Sequence, residues 1–301
     1  MNFQKRPNNH RLYQQRNKYA THINLTFRQP ASRYLCRIFA SGKFVPMMLP
    51  SPEWYAVLDS TNSYLLQKLE TQPALPSGTT VCTQHQTAGR GQRQKPWMDT
   101  PGKSLLFSVA VQPVAELAEQ PLFCFGIAVA VAETLKAFIP DLPLQLKWPN
   151  DLYVNNGKLG GILIENILRG SRWQWAVIGI GINLLPQPFD ASFRPAPAFL
   201  AQLTDQLPLP EPLAQALQTS LTAFSTHPLA PDLLTRYNQQ LYRKGCLQTF
   251  ETAGVRWQGI VQEALPDGRL LLLENGRERT CVHGTDLWIP EPNASGTTSA
   301  A

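Results

Sequence analysis

An α+β fold is predicted for this chain of 301 residues: a central mixed α/β domain followed by a small β-barrel-like unit. Three observations predict it. From residue 54, apolar strand-like runs alternate with longer helical patterns. From residue 246 the helical period stops, and four short strand patterns follow between turn signals. A proline-rich stretch separates the two patterns. The length allows one large and one small domain. A hydrophobic content of 43% with 16% charged residues is ordinary for a globular chain.

Each element has a local reason. Residues 54–58 read as a strand. Asp59, Ser60 and Thr61 are N-cap types, and an apolar helix carrying Tyr64, Leu65, Leu66 and Leu69 follows. Residues 79–84 read as a strand and 89–101 as a loop. The run 104–111 is almost continuously apolar, so it is expected as a strand buried on both faces. Residues 122–138 form a helical pattern that Pro140 stops. A short strand is expected at 144–147. Strands at 151–154 and 158–166 flank Asn155-Asn156-Gly157, a hairpin signal, and 173–183 reads as another strand. Prolines crowd 186–197 and 207–212, a connection with little expected regular structure. Helices are expected near 213–224 and 231–244. Strands follow at 246–251, 255–264, 269–274 and 278–282, with Pro266-Asp267-Gly268 and Asn275-Gly276 as tight turns. The predicted boundaries are a leader 1–50, a central domain 51–240, a small β domain 241–290 and a tail 291–301. Leader and tail are expected to be disordered.

The sequence pI of about 9.1 invites a nucleic-acid reading. The charge distribution weakens it. Nine of the 27 Lys/Arg residues fall in 1–46, which hold no Asp or Glu. The remaining 18 basic and 21 acidic side chains leave the body mildly acidic. Residues 1–46 read as a transit peptide, as a basic arm, or as a start codon placed too early; the last is favoured, with Met47 or Met48 as the start, because an ordered pattern begins only near Glu53. They are too irregular for a helix-turn-helix. The five cysteines, Cys36, Cys82, Cys124, Cys246 and Cys281, form no CxxC pair. That suits a reducing cytoplasm better than a disulfide framework. The histidines show no metal-ligand spacing, and the apolar run 122–132 is too short to span a bilayer.

Five stretches carry candidate chemistry. Residues 86–97 place Gly89 and Gly91 around Arg90, with Gln92, Arg93 and Trp97 close behind. Glycine lets backbone N–H groups approach a ligand, and arginine pairs with carboxylate or phosphate. Lys147-Trp148-Pro149-Asn150-Asp151 puts a cation, an amide and a carboxylate at one rigid bend. Asp151 is a candidate Mg²⁺ ligand. In Lys158-Leu159-Gly160-Gly161, a lysine enters an apolar strand, where it can face developing phosphate charge. The two glycines there leave room for a ligand. Ile178-Gly179-Ile180-Gly181-Ile182-Asn183 leaves one strand face bare, as a planar ligand or a close neighbour requires. It is not a dinucleotide fingerprint, because no helix begins after it. Residues 58–63 supply a helix N-terminus with Ser60, Thr61 and Asn62. Each stretch alone reads as readily as a polar turn, a bulge or a helix cap.

The order of these stretches resembles the biotin protein ligase family. The resemblance runs from about residue 54 to 288, and Lys-Trp-Pro-Asn-Asp followed by Lys-Leu-Gly-Gly is its most specific part. It implies a class II synthetase-like central domain and an SH3-like C-terminal β-barrel. It implies a ligase that forms biotinyl-5′-AMP from biotin, ATP and Mg²⁺ and passes biotin to a lysine of the biotin carboxyl carrier protein of acetyl-CoA carboxylase. By this resemblance Ser60, Thr61, Asn62, Gln86, Arg90, Gly91, Gln92, Lys158 and Gly161 face biotin. Arg93, Trp97, Lys147, Asn150 and Asn183 face the nucleotide. Lys158, Arg90 and Asp151 carry the chemistry, with Asp151 also the candidate metal or carrier-lysine contact. A homodimer through the central sheet is compatible with it. A lipoate or octanoate protein ligase of the same fold fits less well, because its usual Arg-Arg-x-Ser-Gly-Gly-Gly loop is absent. A biotin-binding regulator without catalysis is disfavoured by Lys158 and Asp151.

Two departures matter. The common family loop reads Gly-Arg-Gly-Arg-x-Gly-Arg, whereas here Gln92 replaces the second arginine and Gln94 the last glycine. Faster escape of the adenylate is expected from the loss of that arginine. Some relatives carry an N-terminal winged helix-turn-helix. Residues 1–52 do not resemble one, so no specific DNA binding is expected.

Overall fold

A computed structural model describes residues 49–72, 74–189 and 195–289. Residues 1–48 of the leader, with Cys36, and the tail lie outside the described residues. The central sheet has seven strands: β1 Glu53–Tyr55, β2 Thr79–Thr83, β3 Ser104–Val111, β4 Leu144–Lys147, β5 Asp151–Val154, β6 Gly157–Arg169 and β7 Arg172–Asn183. Their order is β1-β2-β3-β7-β6-β5-β4. Only β1 and β2 run parallel; every other pairing is antiparallel. The inner place of β3 explains its nearly continuous apolar run, since all eight of its residues are buried.

Period-two alternation sends side chains to two covered faces. On one face Val81, Ala110, Trp175 and Val177 meet Leu65 and Leu69 of helix α1, Thr61–Thr71. On the other, Cys82, Phe107, Val109, Ile178 and Ile180 join a larger core. That core takes in helices α2 (Gln120–Phe138), α3 (Pro210–Ser225) and α4 (Leu233–Gln239). Ser60 caps α1: its backbone is extended and its hydroxyl accepts from the Ser63 N–H at 3.4 Å.

Three expectations are corrected. The apolar run judged too short for a bilayer sits in a helical stretch, 117–138, that is long and apolar enough to cross one. It is a core helix, with Phe123, Phe125, Ile127, Val129, Val131 and Leu135 buried in the protein interior. Residues 210–212, read as connection, begin α3, because proline fits the first helical turn where its missing N–H costs nothing. The helix expected over 231–244 ends at Gln239. Beyond it the chain pairs with the edge of β4 instead: Leu146 N–H donates to Gln240 O at 2.7 Å and Tyr242 N–H to Leu146 O at 2.9 Å.

The C-terminal unit has five antiparallel strands: β8 Leu247–Thr252, β9 Val255–Ala264, β10 Leu270–Glu274, β11 Arg277–Cys281 and β12 Asp286–Ile289. Their order is β11-β10-β9-β8-β12. No β11–β12 pairing closes a barrel among the described residues. Its apolar residues Phe250, Val261, Leu270, Leu272 and Trp288 belong to the same core as the central sheet. Two polar clips fix the junction. Trp148 Nε1–H donates to Gly268 O at 2.9 Å. The Asn238 amide donates to Ala264 O at 3.0 Å and accepts from Ala264 N–H at 2.7 Å.

Candidate active site

Strand register assembles the site. Lys147 pairs with Asp151, Asp151 with Gly161, Gly161 with Gly181 and Gly181 with Leu106. These five form one row across β4, β5, β6, β7 and β3. Two residues along, Leu163, Gly179 and Ser108 form the next row on the same face. A third row, Glu165, Val177 and Ala110, runs under α1. The start of α1 therefore closes one end of a cleft whose floor is the first two rows. The cleft has a volume of about 520 Å³, within the range of small-ligand sites. It is lined by Ser60, Thr61, Asn62, Gln86, Arg90, Gly91, Gln92, Arg93, Trp97, Lys147, Asn150, Asp151, Lys158, Gly161 and Asn183. Each of these was singled out from sequence.

One wall is a neutral hydrogen-bond chain. Gln86 Oε1 accepts from Thr61 N–H at 2.8 Å. The Ser108 hydroxyl lies 2.6 Å from both Thr61 Oγ1 and Asn62 Oδ1. The Asn62 amide donates to Glu165 Oε2 at 2.8 Å. Ser60, Thr61, Asn62 and Ser108 are all buried. The bare strand face is thus already used: a Cβ on Gly179 would stand 2.3 Å from Asn62 Oδ1, and one on Gly181 would stand 2.5 Å from the Trp97 indole. Gly160 has a different reason from the ligand room expected of it. It faces the neighbouring strand, where a Cβ would meet Gly181 O at 2.5 Å.

The loop 87–97 folds on itself. Trp97 N–H donates to Gly89 O at 2.9 Å and Gly91 N–H to Lys95 O at 2.7 Å. Gln92–Gln94 make a 3₁₀ turn in which Arg93 takes φ of 55°. The Arg90 guanidinium bonds Ser63 Oγ at 3.0 Å and both oxygens of Glu165 at 3.1 Å. The Trp97 Nε1–H is buried in the cleft wall without a partner among the described residues.

The opposite wall is charged. Lys158 Nζ and Asp151 Oδ1 lie 2.7 Å apart, and a Cβ on Gly161 would sit 3.3 Å from that oxygen. Lys147 is buried, with its ammonium 4.7 Å from the centre of the Trp288 ring and 5.8 Å from that of Tyr153. Burial lowers its pKa to about 8 against the opposing charge of Asp151, with Lys158 and Lys95 adding to the fall. His283, from the C-terminal unit, also lines the cleft, and burial followed by the charge of Arg93 lowers its pKa.

Asn150 and Asn183 turn their amides to the backbone. Asn150 Nδ2–H donates to Ile162 O, and Asn183 Nδ2–H to Lys158 O at 3.2 Å. Both therefore brace β6 at the cleft edge. No group of three or more His, Cys, Asp or Glu side chains is placed to hold a metal ion among the described residues. With Lys158 on one oxygen, the lone Asp151 carboxylate is a poor cation cage. Sequence reasoning did not single out Ser108, Glu165, Tyr153, His283 or Trp288. Ser108 sits inside an apolar strand, Tyr153, His283 and Trp288 reach the cleft only through register or domain docking, and Glu165 lies beyond the cleft lining and meets Arg90 of the loop.

Residues 54–183 match the family model described as biotin/lipoate A/B protein ligase family. The bifunctional ligase/repressor BirA of Escherichia coli (strain K12) is 32% identical over 185 residues, 59% of this chain and 55% of that protein. The biotin--[acetyl-CoA-carboxylase] ligase of Mycobacterium tuberculosis is 29% identical over 225 residues, 72% of this chain and 81% of that protein. Among solved structures, the biotin protein ligase from Aquifex aeolicus in complex with biotin and ATP aligns with a TM-score of 0.63 at 21% identity. That alignment covers 80% of this chain and 99% of that one, and it shows a shared fold. The chain spans about half the length of the E. coli relative and 35% of the Bacillus subtilis BirA.

Proposed function

We propose, from the membership of residues 54–183 in the biotin/lipoate A/B protein ligase family, that this protein activates biotin with ATP and transfers it to a carrier-protein lysine. The observation that carries the reading is the pairing of two unlike walls in one cleft. The hydrogen-bond chain Gln86–Thr61–Ser108–Asn62 suits a neutral, polar ring. The Lys158–Asp151 wall with Lys147 beyond it suits a carboxylate meeting a phosphate. Such a site joins a polar-headed acid to a nucleotide.

In the first step, an oxygen of the biotin carboxylate attacks the α-phosphorus of ATP. A carbon–O–phosphorus anhydride forms, the bond to the β-phosphate oxygen breaks, and pyrophosphate leaves with that electron pair. Two anions approach each other, so Lys158 screens their repulsion and stabilises the charge on the phosphoryl oxygens. Asp151 holds Lys158 in place. In the second step, a carrier lysine amine attacks the acyl carbon, an amide bond forms as the acyl carbon–oxygen bond breaks, and AMP leaves with that electron pair while the amine gives up a proton to solvent. The loop 87–97 excludes water from the anhydride meanwhile. Mg²⁺ fits better as a companion of the ATP phosphates than as a resident of Asp151, and it supplies charge neutralisation there. We assign Ser60, Thr61, Asn62 and Gln86 to the biotin ring, and Trp97, Arg93 and Lys147 to the nucleotide side. The backbone braces formed by Asn150 and Asn183 make these two indirect supports of that side.

The test is to incubate the protein with biotin, MgATP and a biotin carboxyl carrier domain. Biotin-dependent pyrophosphate release and biotin on one carrier lysine are expected, with lipoate a poor replacement. Absence of both products would remove the activity.

A further inference from the structure

We infer that Glu165 is a positioning residue, a latch that ties the loop 87–97 to the central sheet at the end of the cleft. This rests on the biotin-activating reading for its ligand, though not for the latch itself. Glu165 lies in the third row of the cleft face, at the boundary where α1 begins to cover the sheet. It does not line the cleft, so its role is indirect. Its two oxygens meet two different elements. Both lie 3.1 Å from Arg90 Nη2 on the loop, and Oε2 accepts from Asn62 Nδ2 at 2.8 Å at the start of α1. Ser63 Oγ, one residue on in α1, takes the same Arg90 nitrogen at 3.0 Å.

The carboxylate therefore ends a continuous chain of polar contacts from Gln86 through Thr61, Ser108 and Asn62. Every other member of that chain is a neutral hydrogen-bonding group facing or underlying the ligand ring. The end member is an anion holding the loop's arginine. A ligand that pins Asn62 fixes the acceptor geometry at Glu165, and hence the loop. A loop held by Arg90 in turn fixes Asn62. Coupling of this kind is reciprocal. The Arg90–Pro96 bridge and the Trp97-to-Gly89 bond carry the restraint along the loop to Gln92 and Trp97. Arg90 thereby acts first as an anchor for the loop backbone, while Lys158, held by Asp151 in the cleft wall, meets the anionic substrate groups.

The test compares wild type with Glu165→Ala, Glu165→Gln, Arg90→Ala and the double variant Arg90→Ala/Glu165→Ala. Two readouts are used. The first is the rate of trypsin cleavage after Arg93 in the ligand-free protein, which needs no activity. It is expected to rise several-fold in Glu165→Ala and Arg90→Ala alike, and no further in the double variant. Glu165→Gln, which keeps one acceptor and loses the charge, is expected to fall between. The second is biotin affinity by calorimetry together with KM for biotin and for ATP. Loss of a charge-assisted bond weakens biotin binding roughly tenfold, with a smaller rise in KM for ATP, passed on through Arg93 and Trp97 of the same loop. Equal weakening of both substrates, additive loss in the double variant, or unchanged cleavage would overturn the latch. A wild type that binds biotin and is protected by it, yet releases no pyrophosphate, would overturn the activity and leave the latch standing.

Discussion

The two walls of the cleft are built by opposite means. The wall at the start of α1 is neutral, buried and fully paired, with glycine at position 179 giving Asn62 its space. The wall at β4–β6 is cationic and only partly paired, and it borrows Trp288 from the C-terminal unit to shelter Lys147. A neutral, pre-satisfied network selects a ligand by shape and donor–acceptor pattern, because any misfit leaves buried polar groups unpaired. A cationic wall instead tolerates different anions and acts on charge that develops during reaction. On the proposed reading one wall recognises and the other reacts, and substitutions should separate the two.

The largest separation is expected at Lys158. Lys158→Ala should lower biotin-dependent pyrophosphate release by roughly a hundred- to a thousandfold, the scale of one lost transition-state donor. Biotin binding without ATP should stay nearly unchanged. A loss below tenfold, or a matching loss of binding, would return Lys158 to a structural role.

Next in size is Gly179→Ala. The new Cβ would stand 2.3 Å from Asn62 Oδ1, so Asn62 must move. Overpacking of this kind costs roughly 1–3 kcal/mol, and KM for biotin should rise roughly ten- to a hundredfold. Gly181→Ala is the counterpart. Its Cβ meets the Trp97 indole, so it should burden ATP instead. Equal effects of the two substitutions on both substrates would erase the distinction between the walls.

The sequence foretold these walls unequally, and for physical reasons. The strands Ser104–Val111, Leu144–Lys147, Asp151–Val154 and Val255–Ala264 have the bounds expected of them. Continuous apolar runs and Asn-Gly or Asp-Gly turns mark such ends locally. Strand β12 and the early end of α4 were not foreseen, since both depend on pairing with distant segments. In the site, the glycines at 179 and 181 announced a bare face, yet nothing local said that Asn62 and Trp97 would fill it. Glu165 follows the apolar run Ile162-Leu163-Ile164, and nothing local marks it. Its meaning comes from Arg90, 75 residues away. Which residues gather at the cleft was legible from their types, whereas which row a side chain occupies was not.

The loop joins the two walls, and a smaller effect is expected there. Gln92 stands where the family's common pattern has arginine, and it opens the 3₁₀ turn in the cleft wall. Gln92→Arg adds a cation facing the acyl-phosphate and should slow adenylate release by several-fold, on the scale of one charge-assisted bond. Equal release rates for the two proteins would show that retention is set elsewhere.

The smallest effect concerns Lys147, where the charged wall also strains the fold. Its pKa in the folded protein is about 8, against an ordinary value of 10.5. Between those values the unfolded chain binds more protons, so this group makes stability rise with pH from about 8 to 10.5. Below pH 8 the buried ammonium is a full cost to folding. Its benefit to an anionic nucleotide has the opposite sign, since that benefit fades as the charge is lost. KM for ATP should therefore rise roughly two- to fivefold between pH 7 and 9, the scale of a partly screened ion pair, while the melting temperature climbs. Lys147→Met should flatten both profiles together, with KM for ATP held near its high-pH value throughout. If only the melting profile flattens, Lys147 supports the wall without touching the nucleotide. If only the KM profile flattens, the burial of its charge is relieved by water, and the wall is more open than the ring of Trp288 implies.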